Sequence, residues 1–147
     1  MVENELLAPC GLYCGVCGIY LAHREGNHKF KERLAQFYQR APEEMACRGC
    51  LSEERYVYCR TCAVRDCTTQ KGLEGCHQCQ DFPCDLVRDL RPIAQRVVLR
   101  TIPAWRELGT EKFVEEEEAR YQCPHCGYQL FRGAKRCRIC RQPVDLD

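Results

Sequence analysis

Fifteen of the 147 residues are cysteine, and twelve of these stand in CxxC pairs: Cys14/Cys17, Cys47/Cys50, Cys59/Cys62, Cys76/Cys79, Cys123/Cys126 and Cys137/Cys140. The remaining three are Cys10, Cys67 and Cys84. Two residues between cysteines make a knuckle that aims both sulfurs at one tetrahedral ion. The chain therefore reads as one that folds around bound metal, zinc by ligand type, with the metal standing in for part of an apolar core. All fifteen cysteines are candidate ligands, for about three zinc ions at four sulfurs each.

A disulfide scaffold is the alternative for a cysteine-rich chain. The odd count and the adjacent CxxC thiols argue against it. The opening MVENELLAPCG carries two acids and no apolar run, which is unlike a secretory leader. No stretch approaches the roughly 18 apolar residues of a membrane span. The expected compartment is a reducing cytoplasm, away from any membrane.

The formal charge of +1 counts cysteine as neutral. A divalent ion held by four thiolates carries a net −2, so three such sites take the chain to about −5. Balanced composition is thus no mark of a nucleic-acid binder. One local exception lies between Cys123 and Arg141, where Arg132, Lys135, Arg136, Arg138 and Arg141 occur with no acidic residue.

The cysteines divide the chain into a multi-metal region (1–84), a helical segment packing on it (85–120) and a C-terminal unit (121–147). Helices are expected from Val16 to His23 and from Lys29 to Arg40, the second with Phe30, Leu34 and Phe37 on a core face. In the middle segment Leu86, Leu90, Ile93, Val97 and Val98 recur at helical spacing. Pro92 predicts one helix ending near Arg91 and another starting there, and Pro103 predicts a short helix containing Trp105. Gly109 should end that helix and Thr110 cap the next, which runs through EEEE to about Arg120. Those glutamates read as a solvated face. Short strands are expected at Tyr56–Tyr58 and Tyr128–Phe131. The fold class is a small metal-stabilised α+β protein with several zinc knuckles, a helical middle and a C-terminal zinc ribbon.

CPHCG, ten residues and CRIC give the strongest motif. Two knuckles supply Cys123, Cys126, Cys137 and Cys140, a closed shell of four thiolates that leaves no position for water or substrate. Gly127 suits the turn that follows a knuckle. Iron could occupy the same sulfurs. Between 47 and 84 the form C-x2-C-x4-C occurs twice, at 59–67 and 76–84, after CRGC at 47–50. Those eight sulfurs suffice for two metals. They pair either sequentially (Cys47, Cys50, Cys59, Cys62, then Cys67, Cys76, Cys79, Cys84) or interleaved, and spacing does not choose.

Cys10, Cys14 and Cys17 form a C-x3-C-x2-C run that leaves a tetrahedral shell one ligand short. The candidates for a fourth ligand are a cysteine from 47–84 and His23. The competing readings are an iron–sulfur cluster with one open iron and a redox dithiol at Cys14/Cys17 whose pKa a helix start lowers. A radical enzyme that binds its cofactor at an open iron uses the same spacing, but it requires a βα barrel for which residues 18–147 have no pattern. His77 and His125, inside CxxC loops, are expected to point outward as non-ligands. Phosphate-loop, dinucleotide, zinc-protease and hydrolase motifs are missing.

The opening APCGLYCGVCGIYLA, followed by CRGC, C-x2-C-x4-C, Lys71-Gly72 and CHQCQDFPC, resembles a family of small cysteine-rich prokaryotic proteins of unknown function. Members often carry a tail resembling ELGTEKFVEEEEARY and a CPxCG ribbon. The resemblance runs from Ala8 to Cys140. It implies that the eleven N-terminal cysteines act together, and it implies no reaction. His23 is not part of the pattern.

Three functions follow. The first is a zinc-structured module that presents a protein-interaction surface, for instance through residues 52–58. The second is an iron–sulfur or dithiol redox protein using Cys10, Cys14 and Cys17. The third is nucleic-acid binding through the basic ribbon, with Tyr128 and Phe131 stacking on bases. The first is the reading adopted, with another protein as partner and no catalytic residue assigned.

Overall fold

Apolar residues at helical spacing set the architecture. A computed structural model describes residues 5–147, so the first four residues of the acidic opening lie outside what is described. Among the described residues there are six α-helices: α1 (Gly18–Arg24), α2 (His28–Tyr38), α3 (Ala63–Gln70), α4 (Asp85–Arg88), α5 (Pro92–Leu108) and α6 (Thr110–Arg120). Short 3-10 turns occupy Cys14–Val16, Pro42–Glu44, Val57–Cys59 and Cys76–Gln78. The β content of these residues is three isolated antiparallel bridges, Leu7 with Tyr13, Gln122 with Gln129 and Arg136 with Pro143. The protein is therefore helical rather than α+β. The expected strand at Tyr56–Tyr58 is a 3-10 turn instead, and that at Tyr128–Phe131 contributes a single bridge. Closely spaced knuckles tighten the chain faster than a strand can extend.

One apolar core joins all regions. Leu21, Val98, Ile102, Trp105, Phe113, Tyr121 and Leu130 are each buried in it. Helix α5 contributes Val98, Ile102 and Trp105 to it and also buries Val97 and Thr101. Pro103 lies inside this helix and does not begin a new one. A proline costs about 3 kcal/mol in a helix interior. Burying Ile102 and Trp105, at about 2–3 kcal/mol each, outweighs that. Gly109 does end the helix, but Thr110 caps nothing through its side chain. Its hydroxyl instead accepts the Trp105 indole N–H at 2.9 Å.

Two expectations about faces change. Phe37 is 76% exposed, because the buried arc of α2 runs from Phe30 through Leu34 and Tyr38 to Ala35 and leaves Phe37 beyond its edge. Ile93, too, is largely exposed. The glutamate run is not uniformly solvated. Glu117 is buried and paired with Arg100 of α5, whose guanidinium also lies 3.6 Å from Asp147. Glu118 accepts the Tyr13 hydroxyl at 2.7 Å, tying α6 to the first cysteine loop. No helix of the described residues is long and apolar enough to cross a membrane.

Candidate metal centre

The C-terminal unit is built from two copies of one knuckle. In the first, Cys123 N–H donates to the Tyr128 carbonyl at 2.8 Å, and Gly127 N–H donates to the Cys123 carbonyl at 2.8 Å. In the second, Cys137 N–H donates to Gln142 at 3.0 Å and Arg141 N–H to Cys137 at 3.2 Å. The fifth residue of each loop turns left-handed, Gly127 at φ 75° and Arg141 at φ 64°. Each loop is closed by its own bridge.

These knuckles bring Cys123, Cys126, Cys137 and Cys140 together, with all four sulfurs within 4.8 Å of one another. Cys123 and Cys140 are 3.6 Å apart, as are Cys126 and Cys137. A tetrahedral ion with bonds of about 2.3 Å to sulfur separates its ligands by about 3.8 Å. The thiols thus stand close to the corners such an ion requires. Burial pushes the Cys137 thiol up, but the N–H groups of Cys140 and Ile139 and the neighbouring thiols outweigh it and bring Cys137 down to about 6. At neutral pH this centre can supply a thiolate. Among the described residues it is the one set of three or more metal-ligating side chains that converges this closely.

The basic residues beside it are only partly free. Arg132 turns inward: its backbone N–H donates to Val16 at 2.8 Å and its guanidinium to the Tyr13 carbonyl at 3.1 Å. Arg138 lies 3.9 Å from the centre of the Phe30 ring and 3.6 Å from Glu25. Phe131 packs on Phe30 at 5.1 Å, so it is not an open stacking surface. Lys135, Arg136 and Arg141 stay exposed.

The eleven N-terminal cysteines fall into two neighbourhoods. Cys10, Cys14 and Cys17 interact electrostatically with Cys47, Cys50, Cys59 and Cys62 across the loops that carry them. Burial, reinforced by these neighbours, raises Cys10 and Cys59 to about 12 and holds Cys14 well above the ordinary thiol range. The expected lowering of the Cys14 thiol by a helix start is therefore reversed, since desolvation dominates. The Arg132 guanidinium, bonded to the Tyr13 carbonyl, interacts electrostatically with Cys17, Cys14 and Cys10. Cys67, Cys76, Cys79 and Cys84 line one cavity together, with Cys62 still within electrostatic reach of Cys76.

His23 is not at the triad. Its Nδ1 is 3.1 Å from Lys31 Nζ and its Nε2 is 3.6 Å from Glu54. His125 is exposed, as its position in a knuckle predicts. His77 does not point outward. Its ring stacks on Trp105 at 3.6 Å and 16°, with Nδ1 buried and unpaired among the described residues. Sequence reasoning missed this stack, and Gly75 was the available signal. A Cβ there would come within 2.8 Å of the Trp105 ring and 2.9 Å of the Pro9 carbonyl.

No curated protein and no solved structure matches the chain. Residues 6–89 match a family described as a protein of unknown function, DUF3795. The matched segment takes in all eleven N-terminal cysteines and stops before the C-terminal unit. It covers more than half of the sequence, and on it the chain belongs to the DUF3795 family.

Proposed function

We propose that this is a zinc-binding protein whose metals are structural and hold a surface for docking another protein. The observation that carries the reading is the C-terminal tetrathiol. Four sulfurs near tetrahedral corners fill a zinc shell completely, and a filled shell has no position for substrate. On this reading residues 121–147 are a zinc ribbon, and the N-terminal thiols hold the rest of about three ions. Their crowding favours the same view. Buried thiols crowded together are stable as neutral groups or as ligands of a cation, and a divalent ion offsets their repulsion. A candidate docking face contains Phe37, exposed Tyr58 and the guanidinium groups of Arg40 and Arg91, which lie 5.1 and 4.4 Å from the Tyr58 ring.

A second reading places an iron–sulfur cluster or a redox dithiol at Cys10, Cys14 and Cys17. Its support is Arg132, a cation facing those thiols. Nucleic-acid binding draws less support, because two of the five basic residues are turned onto the protein itself.

Metal analysis of anaerobically purified protein, together with its visible absorption, tests these readings. A colourless protein with about three zinc per chain is expected. A brown protein with acid-labile sulfide would replace the zinc reading with the cluster reading.

A further inference from the structure

We infer that Cys67, Cys76, Cys79 and Cys84 form a second four-thiolate site for one zinc-class divalent ion, with Lys71 as its counter-charge. This rests on the reading of the protein as a metal binder and sorts the N-terminal cysteines into four and seven.

The first argument is the cavity. All four cysteines line one space of about 20 Å³, closed by apolar neighbours such as Val64, Leu73 and Leu86. About 10–15 Å³ suffices for one water-sized body, so there is room for a single ion and little else. No carboxylate and no histidine lines it. The donor set is then sulfur alone, which selects a soft or borderline ion over calcium or magnesium.

The second argument is charge. Binding a divalent ion to four thiols releases four protons to solvent and leaves a net −2. Lys71 also lines the cavity, with Nζ 3.6 Å from the Cys79 sulfur and 3.0 Å from Asp81. Its ammonium is shared between Asp81 and the Cys79 sulfur, so a thiolate at Cys79 would join an existing ion pair.

The third argument is the scaffold. Cys67 stands on α3 and Cys84 immediately precedes α4, while Cys76 and Cys79 bracket a 3-10 turn. That turn is held from three sides. Cys76 N–H donates to the Pro9 carbonyl at 2.8 Å. Arg106 donates to the carbonyls of His77, at 2.8 Å, and Cys79. The His77 ring is clamped on Trp105. These contacts fix the backbone of the turn beside the cavity and leave the sulfurs free to adjust. Cys76 interacts first with Cys84, then Cys79 and Cys67, and only after these with Cys62. The four sulfurs do not converge as closely as the C-terminal set, so ion binding is expected to draw them inward.

The test uses the full chain, stripped of metal and titrated with cobalt(II). A Cys76→Ser, Cys79→Ser double variant should bind one equivalent fewer with tetrathiolate absorption. A Cys137→Ser, Cys140→Ser double variant should lose a separate equivalent. If the second variant loses its equivalent and the first loses none, the present inference fails alone. If neither loses one, the metal-binding reading fails with it. Should the first variant not fold, the wild-type chain decides. It is loaded with zinc, titrated with chelator, alkylated and mapped by mass spectrometry. The four thiols should become reactive in one step, separate from Cys62. Release of Cys67 together with Cys62, or of all eleven N-terminal thiols at once, would overturn the grouping. Lys71→Met should weaken cobalt binding at this site about tenfold, as loss of an outer-sphere partner does. Unchanged affinity would remove Lys71 from the site.

Discussion

The two cysteine-bearing regions reach order by different routes. At the C-terminal end each knuckle is closed by hydrogen bonds that span at most five residues, and the four sulfurs come from two loops close in sequence. In residues 10–84 the positions of the sulfurs depend on distant partners: Pro9 on Cys76, Arg106 on the 76–79 turn, and Arg132 on the first loop. Locally closed knuckles make a centre that forms as a unit. Thiols held by long-range contacts come near one another only when the whole domain is folded. The comparison teaches that identical CxxC spacing can encode either situation.

The largest effect that would break this contrast is metal removal. Structural zinc supplies on the order of 10 kcal/mol of folding free energy per site in small peptides. Strong chelation of the full chain should abolish the cooperative melt followed by circular dichroism. A chelated sample that still melts cooperatively would mean that the apolar core around Trp105 and Phe113 suffices alone.

The next largest probes the helices on which the N-terminal region leans. Glu117 is buried and held by Arg100. Arg100→Leu leaves that carboxylate without its partner and should cost about 3 kcal/mol, by analogy with broken buried pairs. Denaturant unfolding measures it. A loss below about 1 kcal/mol, the size of a surface pair, would show that the buried Glu117 carboxylate does not depend on Arg100.

A smaller effect sharpens the dependence on long-range packing. Gly75→Ala forces a Cβ against Trp105 and Pro9 and should cost about 1–3 kcal/mol as overpacking. Its cobalt-binding loss should fall on Cys76 and Cys79 and spare the C-terminal centre. Equal losses at both centres would remove the distinction between them.

The smallest effect tests the two knuckles against each other. Gly127 and Arg141 share a left-handed conformation, which costs a non-glycine residue about 1 kcal/mol. Arg141→Gly should therefore raise stability by up to about 1 kcal/mol while leaving the C-terminal metal in place. A clear destabilisation would mean that the arginine side chain holds the second knuckle.

The C-terminal site was legible in the sequence because the hydrogen bonds that close its knuckles are local. Spacing named Cys123, Cys126, Cys137 and Cys140, and Gly127 marked a turn that the structure confirms. Helix existence was legible for the same reason: periodicity announced α2 and α5, and Gly109 marked where α5 stops. What failed were judgements about neighbours. Phe37 satisfied the helical period but lay off the arc that faces the core. Pro103 carried a genuine breaking signal, yet tertiary burial outweighed it. His77 looked like an outward loop residue until Trp105, twenty-eight positions away, provided a ring to stack on.

By itself, then, the sequence determined the knuckles, the donor type and the main helices, since these depend on residues a few positions apart. Only the tertiary structure decided which N-terminal thiols share a neighbourhood, which arginines face inward, and where the chain exposes its aromatic residues. Thiols at 67 and 84, or an arginine at 132 and a loop at 13, are brought together by packing of α3, α4, α5 and the C-terminal unit around one core. No short-range pattern records such contacts, because the free energy that makes them belongs to burial of the whole surface.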